Sequence, residues 1–457
     1  MPITHTNLRN DFDKYWEGVP RSHNSVKPAP LVLKNDPSTL FTGSGMQQLI
    51  PFLMGKKHDL GKRLFNIQPC LRSQDILDVG DNRHTTFFEM MGNWSLGDYF
   101  KEEQLEWVFK YFTNIVGLKE DKLYVSVFEG NKDVPKDEES HTLWKKLGFP
   151  EERIFFYGVD HNWWSRFGSP QHMPKGEIGG PDSEVFYDFG EELKIHEKSN
   201  YSNEKCNPNC GCGRFLEIGN SVFIQYEKNS DSTLVELKQK NVDYGGGLER
   251  ISAAANNTPD VFNTDLYKEI LEEIEKNTKK KYSDITYQSQ IRIIADHLKA
   301  AVFLIVDGVE PSNKEQGYVL RRLLRRSAVK MYQLDHDISL GFGTILDYGV
   351  LKTYEGIHGI KREEQKAIVT SVVNNEINKF SKTLDKGIKQ VETLDFIDGK
   401  IAFDLYQSYG FPIEITEEFA KEKNIEIDDE IFHLDFNTEL QKHQETSRKS
   451  SQKKFGH

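Results

Sequence analysis

Three consecutive glycines, Gly245 to Gly247, stand directly before a charged stretch in "NVDYGGGLERI". Glycine lets a backbone pass close to a ligand or to another part of the chain, and some glycine runs cradle phosphates. This run is not a P-loop, because no Lys-Ser or Lys-Thr pair follows it. We therefore expect the backbone to pass close under a nucleotide, or close to the protein itself, before a helix begins at Leu248.

The stretch from Cys70 to Phe100 combines an arginine with a cluster of aromatic residues. Arg72 is followed by polar, turn-forming residues, which predicts a strand, a loop and a second strand. A planar guanidinium group donates two parallel hydrogen bonds to a phosphate, and Phe88 or a neighbour is suited to stack on a base. The same pattern is also common in ordinary strands, where it forms core and rim.

Three of the four cysteines lie close together in "CNPNCGC", at Cys206, Cys210 and Cys212. In a cytosolic chain, thiols this close together favour a metal site over disulfides. Zinc takes four ligands in a tetrahedron, so a Zn²⁺ site needs one more ligand from elsewhere. The candidates for that fourth ligand are Cys70, His172 and His196. The alternative is a turn rich in Gly, Asn and Pro whose cysteines bind nothing.

A basic stretch, "GYVLRRLLRRSAVK", contrasts with a formal net charge of -12 for the chain. On a helix, its basic side chains fall within about three turns. They are Arg321, Arg322, Arg325, Arg326 and Lys330. This pattern indicates either a solvated helix face or a local surface that binds a polyanion. In the second case, the acidic remainder of the chain would steer the polyanion toward this surface.

The chain has 457 residues, of which 37% are hydrophobic, which is enough for two or three domains. No apolar run approaches the roughly 18–20 residues that a membrane span needs. The N-terminus, "MPITHTNLRNDFDKYW", has neither a signal-peptide pattern nor an Arg-rich transit composition. These features favour a soluble cytoplasmic protein.

The two halves of the chain differ in their periodicity. Stretches rich in β-branched and aromatic residues predict strands at Lys122–Gly130, Glu152–Gly158 and Arg214–Glu227. Few helices separate them, so an antiparallel sheet is favoured over a doubly wound parallel one. Helical spacing of apolar residues then predicts four helices. They are Asp265–Lys279, Gln288–Asp307, Gly317–Leu334 and Glu363–Leu394. We place the domain boundary near residue 255.

Taken together, several segments resemble the alanyl-tRNA synthetases, a family of class II aminoacyl-tRNA synthetases. Three of them match the class II motifs in order and spacing: Asp36–Gly55, the hairpin that carries Arg72, and "VDYGGGLERI". The others are "RFLEIGNSVFIQY", "IIADHLKAAVFLIVDGVEPSNKEQGYVLRRLLRR" and "LYQSYGFPIEIT". The resemblance implies an α+β fold. An antiparallel β-sheet catalytic domain flanked by helices would span residues 1–255, and an all-helical domain that recognises the tRNA acceptor stem would span residues 256–457.

The resemblance also implies an ATP-dependent ligase that forms alanyl-adenylate with Mg²⁺ and transfers alanine to tRNA(Ala). Arg72 would hold the α-phosphate of ATP. Arg250 would lie over the adenine or reach the γ-phosphate, and Gly247 would line the nucleotide. The other implied ATP contacts are His84, Phe88, Met90, Ile218 and Gly219. Asp182 and Glu217 are candidate ligands of Mg²⁺.

For alanine, the resemblance implies that Asp243 accepts the ammonium group and that Asn220 lies on the carboxylate side. Val222 and Trp164 would close a pocket sized for one methyl group. Without the resemblance, core packing is the commoner role for residues such as Val222 and Trp164. Asp243 would then be an aspartate that caps a turn.

For tRNA, the resemblance implies contacts to a guanine–uracil wobble pair in the acceptor stem. Asn313 of "PSN" would read that pair together with residue 407, where the family has an aspartate and this chain has Gln407. A neutral amide cannot accept from guanine as a carboxylate would, so strict dependence on the pair is open. Arg321, Arg322 and Arg325 are the further tRNA-binding candidates.

Some positions depart from the family pattern. Thr85 replaces a second histidine after His84, and Gly219 stands where a tryptophan is frequent. The cysteine cluster is an insertion, so the Zn²⁺ prediction rests on the cysteines alone. One alternative function is a catalytically inactive synthetase-like tRNA-binding or regulatory protein. Another is an enzyme that loads alanine onto a carrier other than tRNA. Retention of Arg72, Asp243 and Arg250 favours the ligase.

The chain stops where the family's editing domain would begin. A one-methyl pocket discriminates poorly against glycine and serine, since a methylene is worth only about 1–3 kcal/mol. We therefore expect mischarging with serine or glycine unless a separate trans-editing protein helps. We also expect a monomer.

Overall fold

The computed structural model describes residues 2–33, 39–335 and 341–455. Contacts divide the chain into two compact units. The first consists of Met1–Arg72 and Asp81–Lys268, and the second of Ser73–Gly80 and Glu269–His457. The first unit thus continues beyond residue 255, near which the sequence analysis places the domain boundary. Residues 36–38 of the first class II motif lie outside the described residues.

Nine strands among the described residues of the first unit form one sheet, in the order β1-β2-β3-β9-β8-β7-β4-β5, with β6 paired to β7. The strands are β1 Asn24–Ser25, β2 Arg63–Leu71, β3 Phe87–Leu96, β4 Leu123–Phe128, β5 Ile154–Tyr157, β6 Trp163–Ser165, β7 Ile178–Asp188, β8 Phe215–Lys228 and β9 Leu234–Gly247. The three strands expected from the sequence correspond to β4, β5 and β8. The strand–loop–strand prediction around Arg72 corresponds to β2 and β3.

The sheet is mainly antiparallel, as expected, but it contains two parallel pairs. These are β1 with β2 and β4 with β5. Parallel neighbours need a crossover connection rather than a tight turn. A short helix between β4 and β5, Glu138–Lys146, lies in that connection, and the sequence analysis did not identify it.

Five helices lie within the first unit, before, between and after the strands along the chain. A sixth helix begins in this unit and ends in the second. They are α1 His5–Glu17, α2 Ile50–Leu53, α3 Lys101–Lys110, α4 Glu138–Lys146, α5 Leu248–Ala255 and α6 Asp265–Thr278. Helix α5 follows β9 without an intervening loop, so it begins at Leu248, directly after the three glycines.

The described part of the second unit is helical. Its remaining helices are α7 Ile285–Val306, α8 Glu315–Asp335, α9 Phe342–Thr344, α10 Arg362–Glu392, α11 Gly399–Tyr409, α12 Ile413–Glu422 and α13 Asp429–Phe455. Helix α7 shows why the periodicity was informative. Asp284 caps its first turn by accepting from the N–H of Thr286, and its apolar stripe is buried from Ile291 to Ile305. Within residues 2–33, 39–335 and 341–455, no helix has the length and apolar composition that crossing a bilayer requires.

A buried ion pair joins helices α3 and α4. Lys101 Nζ lies 2.6 Å from Asp137 Oδ1, and the two side chains are only 4% and 2% exposed. Asp137 also caps α4 by accepting from the N–H of Ser140 at 3.0 Å. Removing one member of such a pair leaves the other charge buried without compensation.

We expect Lys101→Met to lower the free energy of unfolding of the first unit by about 3–5 kcal/mol. Urea unfolding followed by tryptophan fluorescence measures this, because all six tryptophans lie in the first unit. Lys146→Met is the matched control, since Lys146 forms an exposed pair with Glu102 and exposed pairs contribute little. Equal effects of the two substitutions would contradict the structural argument.

Candidate active site

The strand register brings the predicted alanine-binding residues onto one face of the sheet. Residues directly opposite each other in an antiparallel pair lie on the same face. Asp243 of β9 is opposite Trp94 on one side and Val222 on the other. Val222 is in turn opposite Asp182 of β7. These four side chains form a row across four strands, which we call the aspartate row.

A second row lies two residues further along the same strands. Gly245 of β9 is opposite Gly92 on one side and Asn220 on the other. Asn220 is opposite Glu184 of β7. Because side chains alternate along a strand, this row faces the same side as the aspartate row. We call it the glycine row.

The carboxylate of Asp243 is held by an indole. Trp94 Nε1 donates to Asp243 Oδ1 at 2.6 Å. Asp243 is only 8% exposed, and burial raises its pKa to about 7, against the effect of the Trp94 hydrogen bond. A buried carboxylate of this kind is well placed to pair with a small cation.

Two glycines provide the space that this indole occupies. A Cβ atom at Gly92 would lie 2.6 Å from Trp94 Cη2. A Cβ atom at Gly45 would lie 2.8 Å from Trp94 Cζ2. Any larger residue at either position would therefore displace the donor from Asp243.

The glycine run also serves close contacts within the protein. A Cβ atom at Gly245 would lie 2.8 Å from Met90 Sδ, and one at Gly246 would lie 2.8 Å from the carbonyl oxygen of Ile218. Gly247 differs from them, because the atoms nearest to an added Cβ would belong to the Arg250 side chain, at ordinary contact distances of 3.7–3.8 Å. The sequence left open whether the glycine run passes close to a nucleotide or close to the protein itself. For Gly245 and Gly246, the structure shows close approach to the protein.

Val222 and Trp164 belong to an apolar wall beside the aspartate row. Val222 is buried in a cluster that includes Met46, Trp94 and Ile178. Trp164 is partly buried and packs against this cluster from β6, where it is opposite Gly180. This arrangement fits both readings of the sequence, a methyl-sized pocket wall and ordinary core packing.

Polar groups of β7 and β8 form a buried network next to the wall. Asn162 Nδ2 donates to Asp182 Oδ1 at 3.0 Å, and Ser126 Oγ donates to Glu184 Oε2 at 2.8 Å. The Oδ1 atom of Asn220 is buried without a hydrogen-bond partner among the described residues. Such an acceptor is costly unless a ligand or water satisfies it.

The carboxyl groups of this network have perturbed acidity. Burial and the charge of Glu217 raise the pKa of Asp182 to about 8, although Asn162 and Asn220 donate hydrogen bonds to it. Burial also raises the pKa of Glu184 well above its ordinary value. The sequence analysis missed Glu184 and Asn162. The alternation in "DSEVFYD" was the available signal that Asp182 and Glu184 share a face of a strand.

Arg72 follows β2 and lies between a carbonyl group and an aromatic ring. Its Nε donates to the carbonyl oxygen of Gly43 at 3.3 Å, and its guanidinium carbon lies 4.9 Å from the centre of the Phe88 ring. Gly43 belongs to the first class II motif, so the structure brings two predicted motifs together. The ring of Phe88 is engaged by the arginine in this structure.

Met90 and Gly219, also expected near a nucleotide, lie on β3 and β8. Met90 Sδ accepts from the N–H of Gly45 at 3.2 Å. A Cβ atom at Gly219 would lie 2.6 Å from the hydroxyl oxygen of Tyr244, which explains why this position holds a glycine here. Ile218, directly before Gly219 on β8, is fully buried.

Arg250 lies in the first turn of α5, and its Nη1 donates to Glu217 Oε2 at 2.8 Å. Both side chains are about one-third exposed, at 31% and 36%. Glu217, one of the two candidate Mg²⁺ ligands, is thus paired with an arginine that was predicted to contact ATP.

His84 is anchored by an aspartate in the loop between β2 and β3. Asp81 Oδ2 lies 2.7 Å from His84 Nδ1, and Asp81 Oδ1 accepts from the N–H of His84 at 2.8 Å. Although burial alone would raise the pKa of Asp81, the hydrogen bonds from His84 hold it at about 2. The same carboxylate lies 3.6 Å from Arg83 Nε.

The cysteine cluster gathers one of the three candidate fourth ligands. The ligand atoms of His196, Cys206, Cys210 and Cys212 all lie within 4.8 Å of one another. Cys70 does not join them, because it is buried in β2. His172 is also elsewhere, with its Nδ1 atom 3.2 Å from Ser169 Oγ.

The predicted tRNA-binding arginines lie on α8 in the second unit. Arg321 and Arg325 both pair with Glu376, at 3.0 Å and 2.6 Å, and Arg322 pairs with Glu414. Further along the helix, Arg326 and Lys330 both pair with Glu418. The basic stretch is therefore matched by local carboxylates rather than simply solvated.

Asn313, in the loop directly before α8, and Gln407, on α11, are both exposed residues of the second unit. Arg321 donates to the Oδ1 atom of Asn313. The rings of Tyr318 on α8 and Tyr406 on α11 are 6.3 Å apart in an edge-on contact, so the two elements are adjacent.

Comparison with known proteins assigns the class. The model of a family described as tRNA synthetases class II (A) matches residues 7–456. This match places the chain among the class II tRNA synthetases. The chain has the α+β fold that the sequence analysis expected. The apo histidyl-tRNA synthetase of S. aureus is 13% identical, with a TM-score of 0.33 over 55% of this chain and 64% of that chain.

Two curated relatives narrow the assignment. An alanine–tRNA ligase of Borreliella afzelii is 41% identical over 464 residues, covering 99% of this chain and 74% of the relative. An alanine–tRNA ligase of Treponema denticola is 40% identical over 470 residues, covering the same two shares. The chain belongs to the class II tRNA synthetases and, within them, to the family of the alanine–tRNA ligases.

The raised pKa of Asp243 predicts a pH-dependent cost in stability. The folded state holds this proton more tightly than the unfolded state, so stability falls as pH rises from about 4 to about 7. We expect Asp243→Asn to match the original protein at pH 4 and to be more stable at pH 8, by up to about 4 kcal/mol. Urea unfolding followed by tryptophan fluorescence at both pH values measures the difference.

The control is Glu236→Gln on the same strand, whose carboxylate is exposed. It should leave the free energy of unfolding nearly unchanged at both pH values. If Asp243→Asn were no more stable than the original protein at pH 8, ionisation of the buried carboxylate would not lower the free energy of unfolding as predicted.

Proposed function

We propose that this protein is an ATP-dependent alanine–tRNA ligase. It activates L-alanine with ATP to alanyl-adenylate, releasing pyrophosphate, and transfers the alanyl group to the 3′ end of tRNA(Ala). The observation that carries the proposal is the aspartate row, in which Trp94 holds the buried carboxylate of Asp243 beside the apolar wall of Val222. The family membership and the printed names of the relatives support it.

In this proposal, Asp243 ionises to accept the ammonium group of alanine. Asn220 lies one row further along the sheet, where its amide N–H group donates to the carboxylate of alanine. Its Oδ1 atom, buried without a partner among the described residues, is an acceptor for a donor of the ligand such as the ammonium group. Val222 and Trp164 limit the side chain to one methyl group. A pocket of this kind excludes larger side chains by steric clash.

ATP occupies the part of the face next to Arg72 and Arg250. Arg72 stabilises the charge that develops at the α-phosphate as the alanine carboxylate attacks phosphorus and pyrophosphate leaves. Arg250 contacts the adenine or the γ-phosphate. The further proposed contacts are His84, Phe88, Met90, Ile218, Gly219 and Gly247.

Bound Mg²⁺ would supply positive charge that offsets the negative charge of the phosphates. Asp182 and Glu217 are the proposed ligands, because their carboxyl groups are close enough for the charge of Glu217 to raise the pKa of Asp182. A cation next to them favours the ionised forms and so offsets that effect.

In the second unit, the exposed side chains of Asn313 and Gln407 are the proposed contacts to the acceptor stem. Arg321 supports Asn313 through its hydrogen bond, and Arg322 and Arg325 contribute to the same surface. The paired glutamates make this surface less basic than the sequence implies. Monomeric state, cytoplasmic location and a trans-editing partner stay predictions from the sequence.

A catalytically inactive tRNA-binding protein is the less favoured alternative. It would have no need for a buried carboxylate that destabilises the fold above pH 7. It would also have no need for a guanidinium group held between Gly43 and Phe88.

Alanine-dependent exchange of pyrophosphate into ATP tests the activation step. We expect Arg72→Ala to lower the exchange rate by about 10²–10³, because a positioned charge at the reacting phosphate is lost. Arg72→Lys is the matched control; it keeps the charge without the planar fork and should retain part of the activity. Exchange by Arg72→Ala within a few-fold of the original rate would refute the assignment of this residue.

Charging of tRNA(Ala) with its wobble pair changed to guanine–cytosine tests the second step. We expect the chain to discriminate less than about tenfold between the two tRNAs, because Gln407 lacks a carboxylate. Gln407→Asp should increase the discrimination to about tenfold or more, whereas Gln390→Asp, at another exposed glutamine, should not. Complete loss of charging by the original chain would show that Gln407 has not relaxed recognition.

A further inference from the structure

The connection between β7 and β8 carries four side chains with soft or borderline metal-binding atoms. They are His196, Cys206, Cys210 and Cys212, one of which is buried and three of which are half-buried. Cysteine thiolates and an imidazole in this number form the Cys₃His set that is common in structural zinc sites.

Two distances within the cluster match those of a tetrahedral site, and all four ligand atoms lie within 4.8 Å of one another. With Zn–S bonds of about 2.3 Å, two sulfurs of a tetrahedral site lie about 3.8 Å apart. Cys206 Sγ and Cys212 Sγ are 3.8 Å apart. With a Zn–N bond of about 2.0–2.1 Å, a sulfur and a nitrogen lie about 3.6 Å apart. Cys210 Sγ and His196 Nδ1 are 3.6 Å apart.

The groups around the cluster orient its ligands for a metal. His196 Nε2 lies 3.0 Å from the carbonyl oxygen of Glu204, which requires the proton to be on Nε2. That tautomer leaves the lone pair on Nδ1, toward the sulfurs, as in metal-bound histidines. The backbone N–H of Arg214 donates to Cys212 Sγ at 3.4 Å, which stabilises a thiolate.

We propose that His196 Nδ1 and the three thiolates of Cys206, Cys210 and Cys212 bind one structural Zn²⁺ ion. Four protein ligands fill its coordination, so the ion has no open position for a substrate and serves to fix the loop. A disulfide is the competing chemistry. It would need sulfurs about 2.05 Å apart, and Cys206 and Cys212 are separated by nearly twice that distance.

The site would fix a loop that supports the predicted nucleotide contacts. The carbonyl oxygen of Gly211, between two of the cysteines, accepts from Arg83 Nη2 at 2.8 Å. Arg83 and His84 are both held by Asp81. Through these contacts, the connection between β7 and β8 that carries the cysteines positions the β2–β3 loop with His84. The effect of this positioning on nucleotide binding rests on the proposed function.

Metal analysis of the intact chain, purified without added metal and without chelator, tests the site. We expect about one zinc per chain in the original protein and in Cys70→Ala, whose cysteine lies outside the cluster. Cys206→Ser and His196→Asn should retain less than about one-tenth of that zinc. A chain that contains no zinc and takes up none on reconstitution would overturn the proposal.

Cobalt replacement needs no variant and so does not depend on how a variant folds. Co²⁺ at the proposed site should give the absorption bands of tetrahedral coordination together with thiolate charge-transfer bands, and one equivalent of Zn²⁺ should abolish them. The spectrum of octahedral Co²⁺ would overturn the proposal. Thiol titration of the denatured, unreduced chain after metal removal should give four thiols, whereas two would show a disulfide instead.

Arg83→Ala separates the positioning role from metal binding. It should keep the zinc but raise the KM for ATP in pyrophosphate exchange several-fold, with the KM for alanine unchanged. An unchanged KM for ATP would overturn the positioning role. Absence of alanine-dependent exchange in the zinc-loaded original protein would refute the proposed function and leave the zinc site standing.

Discussion

The hydrogen bond from the Trp94 indole to the Asp243 carboxylate is the constraint on which the rest of the site depends. A carboxylate that is 8% exposed is costly to keep in a sheet unless its lone pairs are satisfied. The indole satisfies one oxygen at 2.6 Å and is itself enclosed, because Gly45 and Gly92 leave room for its ring. Residues of all three class II motifs therefore meet at this one acceptor.

The sheet concentrates unfavourable groups where a ligand would satisfy them. Burial raises the pKa of Asp243 to about 7 and that of Asp182 to about 8, and Asn220 holds a buried acceptor with no partner in the part of the chain that the structure describes. Each of these groups lowers the stability of the free protein and gains a partner when an ammonium group, a cation or a polar ligand binds. This balance is typical of functional sites and unusual in a purely structural sheet.

Local patterns allowed much of the fold to be predicted, and non-local contacts explain the rest. The stripe of α7 and the start of α5 at Leu248 follow from periodicity and from one glycine run. The parallel pairing of β4 and β5, the contribution of Glu184 and the choice of His196 over Cys70 depend on the tertiary structure. The pairing of Arg325 with Glu376, 51 residues away, likewise has no local signal.

The central claim is that Asp243 ionises to bind the ammonium group of alanine, and proton release on binding tests it most directly. Calorimetric titration with alanine at pH 6, in buffers of different ionisation enthalpy, gives the number of protons released. With a pKa of about 7 for Asp243, the account predicts release of most of one proton in the original protein and its loss in Asp243→Asn. Equal proton release by both proteins, or none by the original, would contradict it.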